Sequence, residues 1–316
     1  MVETSPNILP TGLVQAPQRR RIDETILPTS YSDVRYYLRC PADYRFRKTY
    51  GFSPPITEMF GFGRTVHASI GKLHETFSEG APDADEARKV AEGLFHLKHV
   101  PPSRDPVNKP GPYERAREKA GEIAGSYVSS YSEDFARRRQ IEVRFEIPVD
   151  QAVITGAIDL MLKESADGRI LEASVIDFKA MEGGPDPSAR DDLHWTELSL
   201  QVQLYARAAL EVLGENAQTG AVHLLKDQHR VDVPIDDGAL DAAVANVEWS
   251  VDRIISGDFP RRPFAAKCEE CDFQRLCPQS PEAFGTPDEP PEISVPGPSR
   301  QMARAFSEFD PTHERK

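Results

Sequence analysis

The apolar residues of this chain follow two periodicities that change over near residue 140. Ahead of that point they recur every three to four positions, the spacing of a buried helix face. Tyr31, Val34, Tyr37 and Leu38 follow Thr29-Ser30, whose hydroxyls suit a helix N-cap. This helix is expected to stop at Cys40, because Pro41 disfavours helical geometry in the residue before it. A second helix is predicted from Gly63 to Phe77 on the stripe Val66, Ile70, Leu73 and Phe77. Two more are expected near residues 84–98 and 113–138, with the proline-rich piece from Pro101 to Pro112 as a loop between them.

Beyond residue 140 the period shortens. Ile141–Val149, Ala152–Lys163 and Ile170–Lys179 read as three strands, with Asp167-Gly168 as the turn between the last two. A helix is expected over Glu197–Leu213, then strands at 219–226 and 229–235, and a last helix over roughly 239–256. Residues 1–28 are polar and irregular, with a basic run Arg19-Arg20-Arg21, and read as a flexible arm or linker. Residues 279–316 are rich in Pro, Glu and Ser without periodicity and read as a disordered tail. No internal repeat is present. The fold class is therefore α/β (α+β): a single domain, residues 29–278, with a helix-rich lobe around a small central mixed sheet.

Composition narrows the setting. At 316 residues, 39% hydrophobic and 28% charged, the chain has the make-up of an ordinary soluble domain. No run of 18 apolar residues exists, so no membrane span is expected. The N-terminus lacks the charged-then-apolar layout of a signal peptide, so a cytoplasmic, reducing compartment is expected. Disulfides are disfavoured there, and clustered cysteines read as metal ligands. The net charge of −13 argues against coating nucleic acid through bulk positive charge, but leaves room for a local basic groove.

The candidate chemistry sits on the strands. Asp159 lies in Gly156-Ala157-Ile158-Asp159, and Asp177 and Lys179 lie in Val175-Ile176-Asp177-Phe178-Lys179. Alternation puts Asp177 and Lys179 on one strand face and Ile176 and Phe178 on the other. In a hairpin Asp159 can approach Asp177, and two converging carboxylates call for a divalent cation. A lysine two residues on can then orient or deprotonate a water, or stabilise charge building on a phosphate. Asp-x-Lys alone is a common tripeptide, and a strand edge with solvated charges explains it as well. His67, on the second helix, is by itself more simply a core histidine, and His74 is the weaker candidate of the two. Gln201 and Tyr205 stand at i, i+4 on one helical face, which an amphipathic helix also explains.

Taken in order, Gly-x-x-x-His on a helix, a strand with Glu146, Gly-x-x-Asp, Asp-x-Lys and Gln-x-x-x-Tyr resemble the RecB-type branch of the PD-(D/E)XK nucleases. The resemblance spans residues 29–278 and implies a restriction-endonuclease-like fold. It implies that His67, Asp159 and Asp177 ligate Mg²⁺ or Mn²⁺, with the backbone carbonyl of Phe178 completing the set. Lys179 would be the catalytic lysine, and Gln201 and Tyr205 would support the site and position DNA.

The cysteines add a second feature. Cys268, Cys271 and Cys277 read Cys-x2-Cys-x5-Cys-Pro, and Cys40 lies more than two hundred residues upstream. Zinc sites usually carry two local pairs, so this one-plus-three layout suits an iron–sulfur cluster better, with zinc as the alternative. It is similar to the staple of AddB-type and CRISPR-associated adaptation nucleases, which implies a [4Fe-4S] cluster joining the two ends of the domain. By analogy with disulfides, closing so long a loop could stabilise the fold by roughly 4–5 kcal/mol.

Around Cys40, the segment from Tyr36 to Lys48 interleaves aromatics and cations, as single-strand binding surfaces do. Arg45, Arg47 and Lys48 are its candidate DNA contacts, although Tyr37 and Tyr44 fit a core equally well. Arg137-Arg138-Arg139 reads as a solvated helix end. The segments around Ser30–Pro41 and Tyr50–Pro55 look closest to nuclease modules of superfamily 1, UvrD-like helicases. No Gly-x-x-x-x-Gly-Lys-[Ser/Thr] phosphate loop is present, so any such helicase would be a separate partner or a missing part of a longer chain. The expectation is a metal-dependent nuclease on single-stranded DNA or DNA ends in recombination or repair. The alternative is a non-catalytic iron–sulfur DNA-binding subunit of a helicase–nuclease complex.

Overall fold

The computed structural model describes residues 26–54, 61–166, 169–180, 193–262, 268 and 271–277. The expected arm up to residue 25, the Asp167-Gly168 turn and the tail from 279 lie outside the described residues. The chain enters as a short strand, β1 (Leu27–Ser30), and turns at once into α1 (Tyr31–Arg39). Ser30 is the N-cap, its side chain accepting from the Asp33 N–H, and the helix ends at Cys40 before Pro41. A short helix α2 (Pro41–Tyr44) and a π-helical turn, Arg45–Thr49, follow. The helical lobe is α3 (Phe62–Thr76), α4 (Ala84–Leu94) and α5 (Pro112–Ser130). The sheet strands β2 (Arg138–Val149), β3 (Ala152–Ala166) and β4 (Arg169–Lys179) come next. Then follow α6 (Leu193–Leu213), β5 (Ala217–Leu224), β6 (His229–Val233) and α7 (Asp237–Ile255).

These elements make a mixed six-stranded sheet in the order β1-β3-β4-β5-β6, with β2 pairing the free side of β3. β1 runs parallel to β3, β4 parallel to β5, and the remaining pairs are antiparallel. One face is covered by α1, α6 and α7, which share a core with Ile154, Val175 and Val222. The other is covered by α3, α4 and α5, packed on Leu160, Ile176 and Phe178. β4 is thus buried on both faces, as a central strand flanked by a parallel neighbour should be.

Three expectations need correction. Leu27 and Pro28 are expected in the irregular arm; with Thr29 and Ser30 they form a strand instead, because β3 offers an edge to pair with. The helix expected to reach residue 138 stops at Ser130, and Arg138 and Arg139 open β2, with Arg137 just ahead of it, instead of ending a helix. Arg139 bonds the carbonyls of His74, Phe77 and Phe135, and Arg137 pairs with Glu164 at 3.1 Å. The helix expected over 84–98 ends at Leu94, where Phe95 turns extended to enter the core.

One glycine shows how tightly the sheet is built. Gly156 pairs with Phe145 across β2 and β3, and a Cβ on it would lie 2.5 Å from Phe145 Cζ. The same ring packs edge-to-face on Tyr205, centroids 5.8 Å apart. Gly156→Ala is therefore expected to destabilise the fold by about 1–3 kcal/mol through overpacking. A urea denaturation midpoint equal to that of the wild type would contradict this.

Candidate active site

The antiparallel ladder between β3 and β4 stops at Leu160–Ile176, whereas β4 stays paired to β5 out to Lys179. Just beyond the last β3–β4 rung lie Asp159 on one strand and Asp177 on the other. The Asp159 side chain fills the gap: its Oδ2 accepts the Phe178 N–H at 2.8 Å. Register and hydrogen bonding together bring Asp159 to the C-terminal end of β4, the approach expected from a hairpin.

Asp177 is 1% exposed. Its Oδ2 meets the Lys179 ammonium at 2.7 Å, and its Oδ1 has no hydrogen-bond partner among the described residues. Burial pushes its carboxyl up to about 6; the Lys179 ammonium opposes that shift and the Asp159 charge reinforces it. Lys179 Nζ also donates to Gln201 Oε1 at 2.9 Å, and Gln201 Nε2 donates to the Tyr205 hydroxyl at 2.6 Å. Tyr205 is buried, and its hydroxyl is held well above its ordinary pKa by desolvation, with Asp177 and Asp159 adding to the effect. One turn of α6 thus fixes the lysine through a glutamine that a buried tyrosine fixes in turn.

His67 approaches from α3, its Nδ1 3.5 Å from Asp159 Oδ2 and its ring edge-on to Phe178. His74, the weaker candidate, belongs to the core: it is 2% exposed, stacks on Phe135 and hydrogen-bonds Tyr127. Glu146 is exposed and pairs with Thr155, away from the carboxylates. Residue 142 stands nearer. Ile141 and Val143 pair with Leu160 and Ile158, which puts Glu142 across from Asp159. Its backbone takes a left-handed φ of 51°, and its carboxyl is raised by desolvation and then by the charge of Asp159. An exposed glutamate in an alternating strand carries no signal in the sequence; the strand register is what finds it.

Among the described residues, no three His, Cys, Asp or Glu side chains are already gathered closely enough to hold a metal ion. The donor chemistry nevertheless fits a divalent cation. Among the described residues a buried Asp177 oxygen lacks any donor, Asp159 and the His67 imidazole adjoin each other nearby, and Asp159 meets the backbone of Phe178, whose carbonyl could complete the set.

Around Cys40 the expected cationic residues divide. Arg47 is committed inward: it bonds Asp43 at 3.0 Å and Asp272 at 2.5 Å, and its guanidinium lies 4.2 Å from the Tyr36 ring centre and 4.7 Å from that of Phe273. Its side chain is left 12% exposed. Arg45 and Lys48 remain exposed, Lys48 pairing with Asp33 at 2.6 Å. All four cysteines are half-buried and outside disulfides. Burial pushes the Cys271 thiol up to about 11, with Asp43, Cys40 and Cys268 adding to the shift. The Arg47–Asp272 contact links the segments that carry Cys40 and Cys271, but among the described residues the four cysteines do not form a group of three close enough to share a metal.

The Asp177 shift carries a test. Its folded value of about 6 lies above the 3.8 of an unperturbed aspartate, so the folded protein binds that proton more tightly than the unfolded chain. Metal-free protein should lose stability as pH rises from about 4 to about 6, and Asp177→Asn should remove that slope. Melting temperatures in chelator across this range check it; parallel curves for the two proteins would contradict it.

A family model described as the PD-(D/E)XK nuclease superfamily matches residues 28–278. No curated protein matches the chain. A crystal structure from Eubacterium rectale, described as a candidate exonuclease, is similar at a TM-score of 0.47 and 14% identity, covering 88% of this chain and 93% of that one.

Proposed function

The chain belongs to the PD-(D/E)XK nuclease superfamily, and from that premise we propose that it is a Mg²⁺- or Mn²⁺-dependent deoxyribonuclease acting on single strands or ends. The observation that carries this reading is the buried Asp177 carboxylate, which has one oxygen on Lys179 and, among the described residues, the other without a donor. His67, Asp159, Asp177 and the Phe178 carbonyl would hold the cation. When bound, it would help ionise the attacking water and neutralise charge on the scissile phosphate.

The chain's own groups supply the rest. Lys179, its ammonium held by Asp177 and Gln201, is aimed so that it can orient the water or meet the phosphoryl oxygens. Gln201 and Tyr205 keep that ammonium in place, so its direction does not depend on the flexible lysine stem. Arg45 and Lys48 are proposed contacts for the DNA strand, and Arg47 is the bracket that docks the C-terminal cysteine segment. Cys40, Cys268, Cys271 and Cys277 are proposed to hold a [4Fe-4S] cluster, with zinc as the competing occupant. A role in recombination or repair beside a superfamily 1 helicase would suit an end-processing nuclease.

Digestion of end-labelled single- and double-stranded DNA tests the reaction. Wild-type protein should cut with Mg²⁺ or Mn²⁺ and stop in chelator, and Asp177→Ala and Lys179→Ala should each be at least about 100-fold slower. Variants that cut as fast as the wild type would remove the assignment. The cluster is tested separately by anaerobic purification, an absorbance spectrum and metal counts. About four irons per chain are expected, falling when Cys271→Ala is introduced; one zinc, or no metal, would refute the cluster.

A further inference from the structure

We propose that Arg64, on the first turn of α3, is a phosphate-binding residue that seats the DNA strand beside the catalytic group. The inference rests on the nuclease reading for its ligand, while the position of Arg64 comes from the fold alone. Three segments converge where β4 ends. The first turn of α3 packs there: a Cβ on Gly63 would lie 3.9 Å from the Cβ of Ala180, the residue after Lys179. The turn after β5 starts there too, with the Leu225 N–H donating to the Lys179 carbonyl at 2.9 Å. The ammonium of Lys226, next in that turn, lies 5.9 Å from the Phe62 ring centre and ties the turn back to α3.

Arg64 directly follows Gly63 and precedes His67 by three positions on the same helix. That spacing makes their side chains neighbours, with Cβ atoms about 5–6 Å apart. His67 in turn stands 3.5 Å from Asp159. Helical side chains lean toward the helix N-terminus, so Arg64 leans toward the end of α3 that abuts Ala180. It therefore borders the catalytic group on the side where α3 meets the end of β4.

Its guanidinium is also uncommitted. Arg64 is exposed and, among the described residues, forms no hydrogen bond or ion pair. Arg47, Arg139 and Arg230 show the alternative, each bound to carboxylates or carbonyls of the protein itself. The first turn of α3 holds no acid, so no carboxylate there competes for Arg64, and the positive end of the helix dipole reinforces its charge. The ligand follows from the charge around it. Asp159 and Asp177 form the site with Glu142 across from Asp159, and the Lys179 ammonium is already held by Asp177 and Gln201. On a chain of net charge −13, a strand of phosphodiesters entering here needs a cation at the rim that no protein group has neutralised. A planar guanidinium supplies it and matches a pair of phosphate oxygens.

The test is binding of a fluorescent single-stranded oligonucleotide, followed by anisotropy in metal-free buffer over a range of salt. Arg64→Gln is expected to lower the salt slope by about 0.7, one phosphate contact on a single strand, and to weaken binding roughly fivefold at 0.1 M salt. Its melting temperature should stay within about 2 °C of wild type, because the side chain holds nothing in the fold. Arg64→Lys, which keeps the charge, should keep the wild-type slope, and in the cleavage assay the loss in Arg64→Gln should fall on KM. A wild-type slope in Arg64→Gln would overturn the proposal, whether or not its melting temperature drops, and so would a wild type that binds no oligonucleotide. Should Arg64→Gln fail to fold, Arg64→Lys carries the test, and a lowered slope in it would overturn the proposal. Because binding is read without cleavage, a wild type that binds as expected but never cuts DNA would sink the nuclease reading alone.

Discussion

The β3–β4 ladder ends one rung before the two carboxylates, and that interruption sets the chemistry of the site. β4 cannot swing away, because β5 holds it on its other side as far as Lys179. The backbone N–H that β3 no longer pairs is taken by the Asp159 side chain, so one carboxylate is both a ladder substitute and a site group. Asp177 lies between two packed cores, paired with the Lys179 ammonium among the described residues. A buried carboxylate in that position costs stability, and the proposed cation would offset that cost.

Packing keeps the interruption narrow. Gly156 lets the Phe145 ring lie flat against β3; that ring backs Tyr205, and Tyr205 sets Gln201 and through it Lys179. From the other side, His67 reaches Asp159 across Phe178, whose ring is seated on Tyr127 and His223. At the domain's far junction Arg47 lies between the Tyr36 and Phe273 rings, so the cysteine-bearing ends are held by ordinary side-chain contacts as well.

Much of this was legible in the sequence because local chemistry decided it. The Ser30 cap, the stop before Pro41, the α3 stripe and the alternation that buries Asp177 all follow from residues within a few positions of one another. What was missed depended on distant partners. β1 is a strand only because β3 offers an edge, and the arginines near residue 138 join β2 because β3 pairs them too. Glu142 stands by Asp159 through register, while Glu146, which fits the motif order, points elsewhere. The pairing of Arg47 with Asp43 and Asp272 was not foreseen, and Asp272 is more than two hundred residues away in the chain.

The central claim is that the orphaned oxygen of Asp177 marks a cation site. Mn²⁺ titration followed by electron paramagnetic resonance, with no DNA present, measures this directly. The account predicts one site whose occupancy is lost in Asp177→Asn, weakened in Asp159→Asn and kept in Lys179→Ala. Equal Mn²⁺ binding by wild type and Asp177→Asn would contradict it.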